Sequence, residues 1–183
     1  MIVLSMVIFS TVKAQSAVVS KESARIFVQK FYDWYAVMDA DDNFTKKHNA
    51  SAFSFTVHRH GEYFDIHLKN ALMDYFHTPL KDDEMGLDFD PISAAQDTRT
   101  GFQTGNVTQL GNNFFVDVHD VKKGTIRKDI LASPIAIVVE VAKVGSVWKI
   151  ANFIYPAEGK SKQTNLQQLL INLQKEHAKY KSK

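Results

Sequence analysis

The sequence predicts an α+β domain: N-terminal helices packed on a curved antiparallel sheet of four to five strands, followed by a C-terminal helix. Three observations predict this class. Apolar residues recur at helical spacing before residue 78, they alternate between residues 101 and 155, and helical spacing returns after residue 164. The chain of 183 residues fits one domain, which we place at 20–156, with the C-terminal helix at 164–180.

The clearest helix is predicted over 20–38, with Ser20 as its N-cap and the polar run 39–43 at its end. Residues 51–60 fit either a strand or a helix, and we favour a helix because the next segment is one. That next helix follows Asp65, whose carboxylate is suited to cap it. The first helix also carries an aromatic stripe, which is typical of a core face. The stripe consists of Phe27, Phe31, Trp34 and Tyr35.

Residues 78–100 show no periodicity, and Pro79 ends the helix before them. A connection of this length inside one domain is usually functional or mobile. Its acidic residues are Asp82, Asp83, Glu84, Asp88, Asp90 and Asp97.

Alternation after Gly101 predicts a series of hairpin-connected strands. The alternating segments are 102–110, 114–118, 126–130, 135–141 and 147–155. Turns are predicted at 111–112, 123–124 and 145–146, and Ser133-Pro134 breaks the third segment. A Thr164-x-x-Gln167 capping box begins the terminal helix.

Composition excludes several classes of function. The formal net charge is +2 and, apart from the tail 175–183, the basic residues are dispersed, so we expect no nucleic-acid partner. There is no cysteine, which excludes disulfides, thiol nucleophiles and thiolate metal sites. We expect no cofactor.

The N-terminal residues predict export to the periplasm or the medium. Residues 2–12 form an apolar run, and Val12 and Ala14 suit signal-peptidase cleavage before Gln15, so we assign residues 1–14 as a signal peptide. The run is shorter than the ~20 residues of a stable membrane span. No Lys or Arg precedes it, and the alternative is a core strand at the N-terminus.

Four stretches of the chain form a recognisable set: Phe27-Val-Gln-Lys-Phe-Tyr-Asp-Trp-Tyr35, His60-Gly-Glu-Tyr-Phe-Asp-Ile-His-Leu68, Asp88-Phe-Asp-Pro-Ile-Ser-Ala-Ala-Gln-Asp97 and Trp148-Lys-Ile-Ala-Asn-Phe-Ile-Tyr-Pro156. Together, over roughly residues 24–156, they resemble the bacterial domain of unknown function 3828 family. The third is the distinctive one, although Ile92 stands where that family often has an aromatic residue. The resemblance implies an extracytoplasmic protein with a cone-shaped, cystatin-like fold similar to nuclear transport factor two. It implies no reaction, because that fold carries enzymes, ligand binders and toxin-neutralising proteins alike.

The acidic loop is the first candidate site. In the functional interpretation, Asp88, Asp90, Gln96 and Asp97 lie at the mouth of the cone and bind a ligand or partner, together with hydroxyls such as those of Tyr35 and Tyr63. The Gln96-Asp97 pair can close the loop on Tyr63 or Arg99. In the structural interpretation, Asp90 and Asp97 cap turns and satisfy backbone amides, which is the more usual role of Asp before Pro. A calcium loop lacks the required ligand spacing and Gly.

A general base inside the cone is the second candidate. Asp117 and His119 share a strand face, and Tyr32, Tyr35 and Tyr63 can supply hydroxyls. However, Phe114, Val116 and Val118 predict the core face, which places Asp117 and His119 in solvent.

Histidines are the third candidate. His58, His60 and His67 suggest a metal, but residues two apart on a helix point away from each other. Surface histidines are therefore the favoured interpretation.

Together these features predict an extracytoplasmic, non-enzymatic binding domain for a small molecule or a protein, with toxin neutralisation as one version. The alternative is a small isomerase or hydrolase that uses the interior of the cone. Cones of this kind often pair through the sheet, so a homodimer is a further expectation.

Overall fold

The computed structural model describes residues 3–78, 86–99, 101–121, 125, 127–157 and 162–181. Within these ranges the chain is α+β, as predicted. The helices are α1 (Val3–Asp39), α2 (Phe44–His48), α3 (Ala52–Arg59), α4 (Ile66–His77), α5 (Arg127–Ala132) and α6 (Leu166–Lys181), with a 3-10 turn at Gly61–Tyr63. The strands are β1 (Phe102–Leu110), β2 (Asn113–Asp120), β3 (Ile137–Val144), β4 (Val147–Tyr155) and β5 (Thr164–Asn165).

The five strands form one antiparallel sheet in the order β1-β2-β3-β4-β5. Successive strands pair with each other because short hairpins join β1 to β2 and β3 to β4. The β1–β2 register shifts between Thr104 and Val107, so that Gly105 and Asn106 form a β-bulge opposite Asp117.

One face of the sheet packs against α1 and α4 to form the core. Alternate residues of β2 supply Phe114, Val116 and Val118, which are buried as predicted. The helices fill the space above them with large side chains, among them Phe31, Tyr32, Tyr35, Leu68 and Leu72. The aromatic stripe of α1 is therefore core, with Phe31 and Tyr35 buried and Phe27 and Trp34 packed against it.

Helix α1 begins far earlier than predicted. The prediction that Ser20 is its N-cap is wrong, because the helix runs unbroken through Ser20 from Val3. No Gly or Pro lies between residues 3 and 39 to interrupt it, and the Ser23 hydroxyl donates to the Ser20 carbonyl inside the helix. No helix in the described ranges is both long enough and apolar enough to cross a membrane.

Helices α3 and α4 confirm the sequence prediction. Residues 52–59 are helical, with the Ser51 side chain accepting from the Ser54 amide. The Asp65 carboxylate caps α4 by accepting from the Leu68 amide at 2.7 Å. Pro79, expected to end this helix, lies outside the described residues.

One strand predicted in the C-terminal half is wrong. The segment 126–130 is not a strand where it is described, since Arg127–Ala132 forms α5. Strand β2 pairs directly with β3, with Val118 opposite Ile137, so α5 lies outside the sheet. Helix α5 ends just before Ser133, whose amide and hydroxyl both donate to the Ile130 carbonyl. The predicted turn at 123–124 lies outside the described residues.

The terminal helix is capped by a different residue from the one predicted. Thr164 pairs with Tyr155 in the sheet and so is not the N-cap. Asn165 accepts from the Gln168 amide at 3.0 Å, which is the bond expected of an N-cap.

Candidate functional site

Three tyrosine hydroxyls hold the loop 86–99 against the core. They come from the middle of α1 and from the end of β4, elements far from the loop in sequence, and two of the three accepting groups are backbone carbonyls. The Tyr32 hydroxyl donates to the Ile92 carbonyl at 2.9 Å, the Tyr155 hydroxyl to the Pro91 carbonyl at 2.9 Å, and the Tyr35 hydroxyl to the Asp90 carboxylate.

The Asp90 side chain also organises the loop from within. Its Oδ1 accepts from the Ile92 amide at 2.8 Å and from the Ser93 amide at 3.1 Å, while its own amide donates to the Ala95 carbonyl at 2.9 Å. Ala94 takes a left-handed backbone with φ 52°, a conformation that a residue with a Cβ adopts only where neighbouring contacts hold it. The loop therefore has a defined shape although it contains no helix or strand.

Burial is the main cause of the pKa shifts at the contact between Asp90 and the tyrosines. It raises the pKa of the Asp90 carboxyl, and the nearby Asp39 carboxylate adds to the effect, while the hydrogen bonds from Tyr35, Ser93 and Ile92 oppose it. Burial also raises the pKa of Tyr32, Tyr35 and Tyr155, and the charge of Asp90 raises each of them further. The three phenols consequently remain protonated donors across the physiological pH range.

A groove of about 370 Å³ lies beside this loop. The loop supplies one wall, the ends of β3 and β4 supply the floor, and α6 supplies the opposite side. Its floor is partly aromatic, since the Phe89 and Tyr155 rings meet edge to face at 5.3 Å. The lining consists of Phe89, Ala94, Arg99, Ala136, Tyr155, Pro156, Lys162, Thr164 and Leu169. We call this feature the loop groove.

The charged side chains that line the loop groove are basic. Arg99 donates from Nη1 to Asp120 at 2.7 Å, and its Nε is buried with no hydrogen-bond partner in the part of the chain that the structure describes. Lys162 is exposed at the rim. The groove thus combines apolar walls with two cationic groups at its edge.

The structure brings together only two of the six residues that the sequence singled out, Tyr35 and Asp90. Tyr63 instead stacks on Trp34, with ring centroids 5.4 Å apart, and so belongs to the aromatic packing on α1. The remaining three are exposed and make no hydrogen bond to another described residue. They are Asp88, Gln96 and Asp97.

The expected closure of Gln96 and Asp97 on Tyr63 or Arg99 is not formed, because Arg99 pairs with Asp120 instead. For Asp90 the structural interpretation describes the geometry, since its carboxylate satisfies two backbone amides at the turn. The binding role of all six residues stays a prediction.

The expectation that His119 lies in solvent is wrong. Its side chain points away from the core, as predicted, but α5 and Ser133 cover it and leave the residue only 4% exposed. Asp117 beside it is half-buried. The sheet separates this pair from Tyr32 and Tyr35, which pack on the opposite face, so the general-base set does not converge on one cavity.

The two histidines at the end of α3, one inside the helix and one just after it, have different partners. His58 Nδ1 lies 2.8 Å from the Ser54 carbonyl, whereas His60 Nδ1 lies 3.2 Å from Glu62. Among the described residues, no three His, Asp or Glu side chains are placed to share a metal ion.

The roles of Tyr32 and Tyr155 in fixing the loop were missed at the level of sequence. Each stands in a regular element and looks like an ordinary core or strand residue there. Their common signal is a buried hydroxyl, which needs a partner wherever it lies, but the sequence does not say which carbonyl supplies it.

No protein-family model, curated protein or solved structure matches the chain.

Proposed function

We propose that this chain is an extracytoplasmic, non-enzymatic binding domain whose ligand occupies the loop groove. The observation that carries the proposal is the fixed wall of that groove: three tyrosine hydroxyls hold the loop 86–99 before any ligand arrives. A pre-formed site loses little conformational entropy on binding, which is a general requirement for affinity in a small cavity.

The lining favours a small molecule with an apolar body and one anionic group. Phe89, Leu169 and the Tyr155 ring offer apolar surface, while Arg99 and Lys162 offer charge at the edge. The Arg99 guanidinium donates from Nη1 to Asp120 and its Nε is buried, which leaves Nη2 as the donor for a carboxylate or sulfonate.

Binding fits the groove better than catalysis does. Among the described residues no carboxylate lines the groove, and the Asp90 carboxylate of the loop already has both oxygens engaged by Tyr35 and by two loop amides. The alternative of an isomerase or hydrolase inside the cone needs an interior cavity with a free general base. The space between helices and sheet is occupied by side chains such as Phe31, Phe153 and Leu68.

Export is part of the same proposal, and so is membership of the family that the sequence resembles. The proposal of export rests on the apolar run 2–12 and the cleavage pattern before Gln15. The buried side chains described for α1, from Ala24 onward, lie beyond that point, so cleavage leaves them in place. A bacterial host that expresses the full chain should release a protein whose measured mass is that of a chain beginning at Gln15. Full-length protein confined to the cytoplasm would contradict export.

The loop groove is tested with the fluorescent probe 1-anilinonaphthalene-8-sulfonate, which has an apolar aromatic body and one sulfonate. Ala136→Phe places a phenyl ring in the groove and should abolish the saturable increase in fluorescence. Lys162→Glu reverses the rim charge and should weaken binding about twofold to fivefold. The matched control is Lys30→Glu on the exposed face of α1, which should bind like the wild type.

If Ala136→Phe keeps its fold, judged by its unfolding midpoint, and binds the probe as the wild type does, the loop groove is not the site. A protein partner would instead meet the exposed carboxylates of Asp88 and Asp97. Loss of that partner in the double variant Asp88→Ala and Asp97→Ala, with Ala136→Phe unaffected, would favour the inhibitor version over a small ligand.

A further inference from the structure

His119 is held in one orientation on the outer face of the sheet. Its Nδ1 lies 3.0 Å from the Ser133 carbonyl, and a carbonyl oxygen can only accept. In the neutral ring the proton is therefore on Nδ1, and Nε2 carries a free lone pair. In the described part of the chain, Nε2 has no hydrogen-bond partner, and although the residue is only 4% exposed, the Nε2 atom is not itself sealed from solvent. This acceptor can therefore take a hydrogen bond from a ligand or from water.

Nε2 faces a cavity of about 260 Å³, which we call the outer pocket. It lies between β1, β2, α1 and α5, on a different side of the molecule from the loop groove. Its lining residues are Arg25, Thr104, Gly105, Asn106, His119 and Leu131.

Gly105 keeps the space in front of Nε2 open. A Cβ at this position would lie 2.7 Å from His119 Nε2 and 3.1 Å from Cδ2, closer than real side chains approach. Because the imidazole is held by Ser133 and covered by α5, it cannot simply move aside. Gly105 belongs to the β-bulge of β1, and bulges often re-aim side chains beside binding sites.

The charge near the outer pocket is negative. Asp117 lies beside His119 on β2, and the Asn106 side chain hydrogen-bonds to its carboxylate. The cation on the lining, Arg25, is engaged by both carboxylate oxygens of Glu22, at 2.6 and 2.9 Å. With that pair neutralised, the Asp117 carboxylate, which has no ion-pair partner among the described residues, supplies the charge beside His119.

We propose that the outer pocket binds a small organic ammonium ion, which donates a hydrogen bond to His119 Nε2 and whose charge is balanced by Asp117. An ammonium offers both the N–H donor that the lone pair needs and the positive charge that the carboxylate attracts. An alcohol offers the donor alone. The site is independent of the loop groove and does not rest on the proposed function.

The test is a titration of the full chain with ethylammonium chloride, followed by the long-range ¹H–¹⁵N correlations of the His119 ring at constant ionic strength. The free protein should show an Nδ1–H ring, and the Nε2 resonance should move saturably. Ethanol, as the uncharged probe, should bind at least about tenfold more weakly. Asp117→Asn should lower the ammonium affinity to that of ethanol, while Asp129→Asn, an exposed carboxylate on α5, should leave it unchanged.

Gly105→Ala should remove the saturable shift by filling the pocket. If this variant does not fold, the comparison of Asp117→Asn with Asp129→Asn still decides the matter. A ring protonated on Nε2 in the free protein, a shift that never saturates, or equal affinities for ethylammonium and ethanol would each overturn the proposal.

Discussion

The loop 86–99 contains the same side chain in two very different settings. Asp90 is drawn toward the core, where Tyr35 and two loop amides occupy its carboxylate. Asp88 and Asp97 lie in the same loop but remain exposed, with no hydrogen bond to another described residue. This difference shows that the acidic residues of one loop need not act together. They differ in whether a side chain from a distant helix or strand reaches them.

The largest expected effect comes from removing the inner carboxylate. Asp90→Ala leaves the buried Tyr35 hydroxyl and two amides without their acceptor, and we expect a loss of about 2 to 3 kcal/mol in the free energy of unfolding. The matched control, Asp88→Ala, should change it by less than about 0.5 kcal/mol. Urea unfolding of both variants measures the contrast. Equal losses would show that the two settings do not differ energetically.

Removal of a single tyrosine hydroxyl should lower the free energy of unfolding by less than removal of the Asp90 carboxylate does. Tyr32→Phe keeps the ring but leaves the Ile92 carbonyl without its donor in a fully buried position, at a cost of about 1 to 2 kcal/mol. Tyr155→Phe should cost less than about 1 kcal/mol, because Tyr155 lines the open groove and is only partly buried, so water can replace its hydroxyl. Hydrogen exchange of the loop amides should rise in both variants. An unchanged exchange rate would contradict the role given to these hydroxyls.

The smallest expected effect is a dependence on pH. Because the pKa of Asp90 is raised in the folded chain, the folded state binds its proton more tightly than the unfolded state does. The free energy of unfolding contributed by this group then falls as pH rises from its ordinary pKa of 3.8 to the raised folded value, and is constant outside that window. The stability of the wild type relative to Asp90→Asn should therefore decrease with rising pH across the window.

Urea unfolding of both proteins between pH 3 and about 7 measures this slope. Asp88→Asn, at an exposed position of the same loop, is the matched control for the substitution itself. A wild-type protein that gains stability over Asp90→Asn as pH rises would mean that the hydrogen bonds outweigh burial at this carboxylate.

The regular elements were largely predictable because local signals agree with the tertiary structure there. Strand β1 has the predicted bounds, and Asp65 caps α4 as its position indicates. Prediction failed where a local signal competed with long-range pairing. The alternation near Ile130 predicts a strand, yet the direct pairing of β2 with β3 leaves that segment to form α5.

The candidate site was less predictable than the fold. Asp90 stood out because Asp before Pro favours a turn, and Tyr35 stood out as a phenol on a core helix. No sequence pattern around Tyr155 or Ala136 indicates a groove. They line one only because the loop packs against the end of the sheet. His119 was expected in solvent because its strand face is the outer one, and no local pattern shows that α5 covers it.

The sequence by itself determined the α+β class, the antiparallel character of the sheet and the core faces of α1 and β2. These follow from apolar periodicity, which is a property of neighbouring residues and of the geometry of helix and strand. Only the tertiary structure decided which hydroxyl meets which carbonyl, that Asp90 is enclosed while Asp88 is not, and that His119 faces a pocket opened by Gly105. Those outcomes depend on contacts between residues far apart in the chain, and such contacts leave no periodic trace along it.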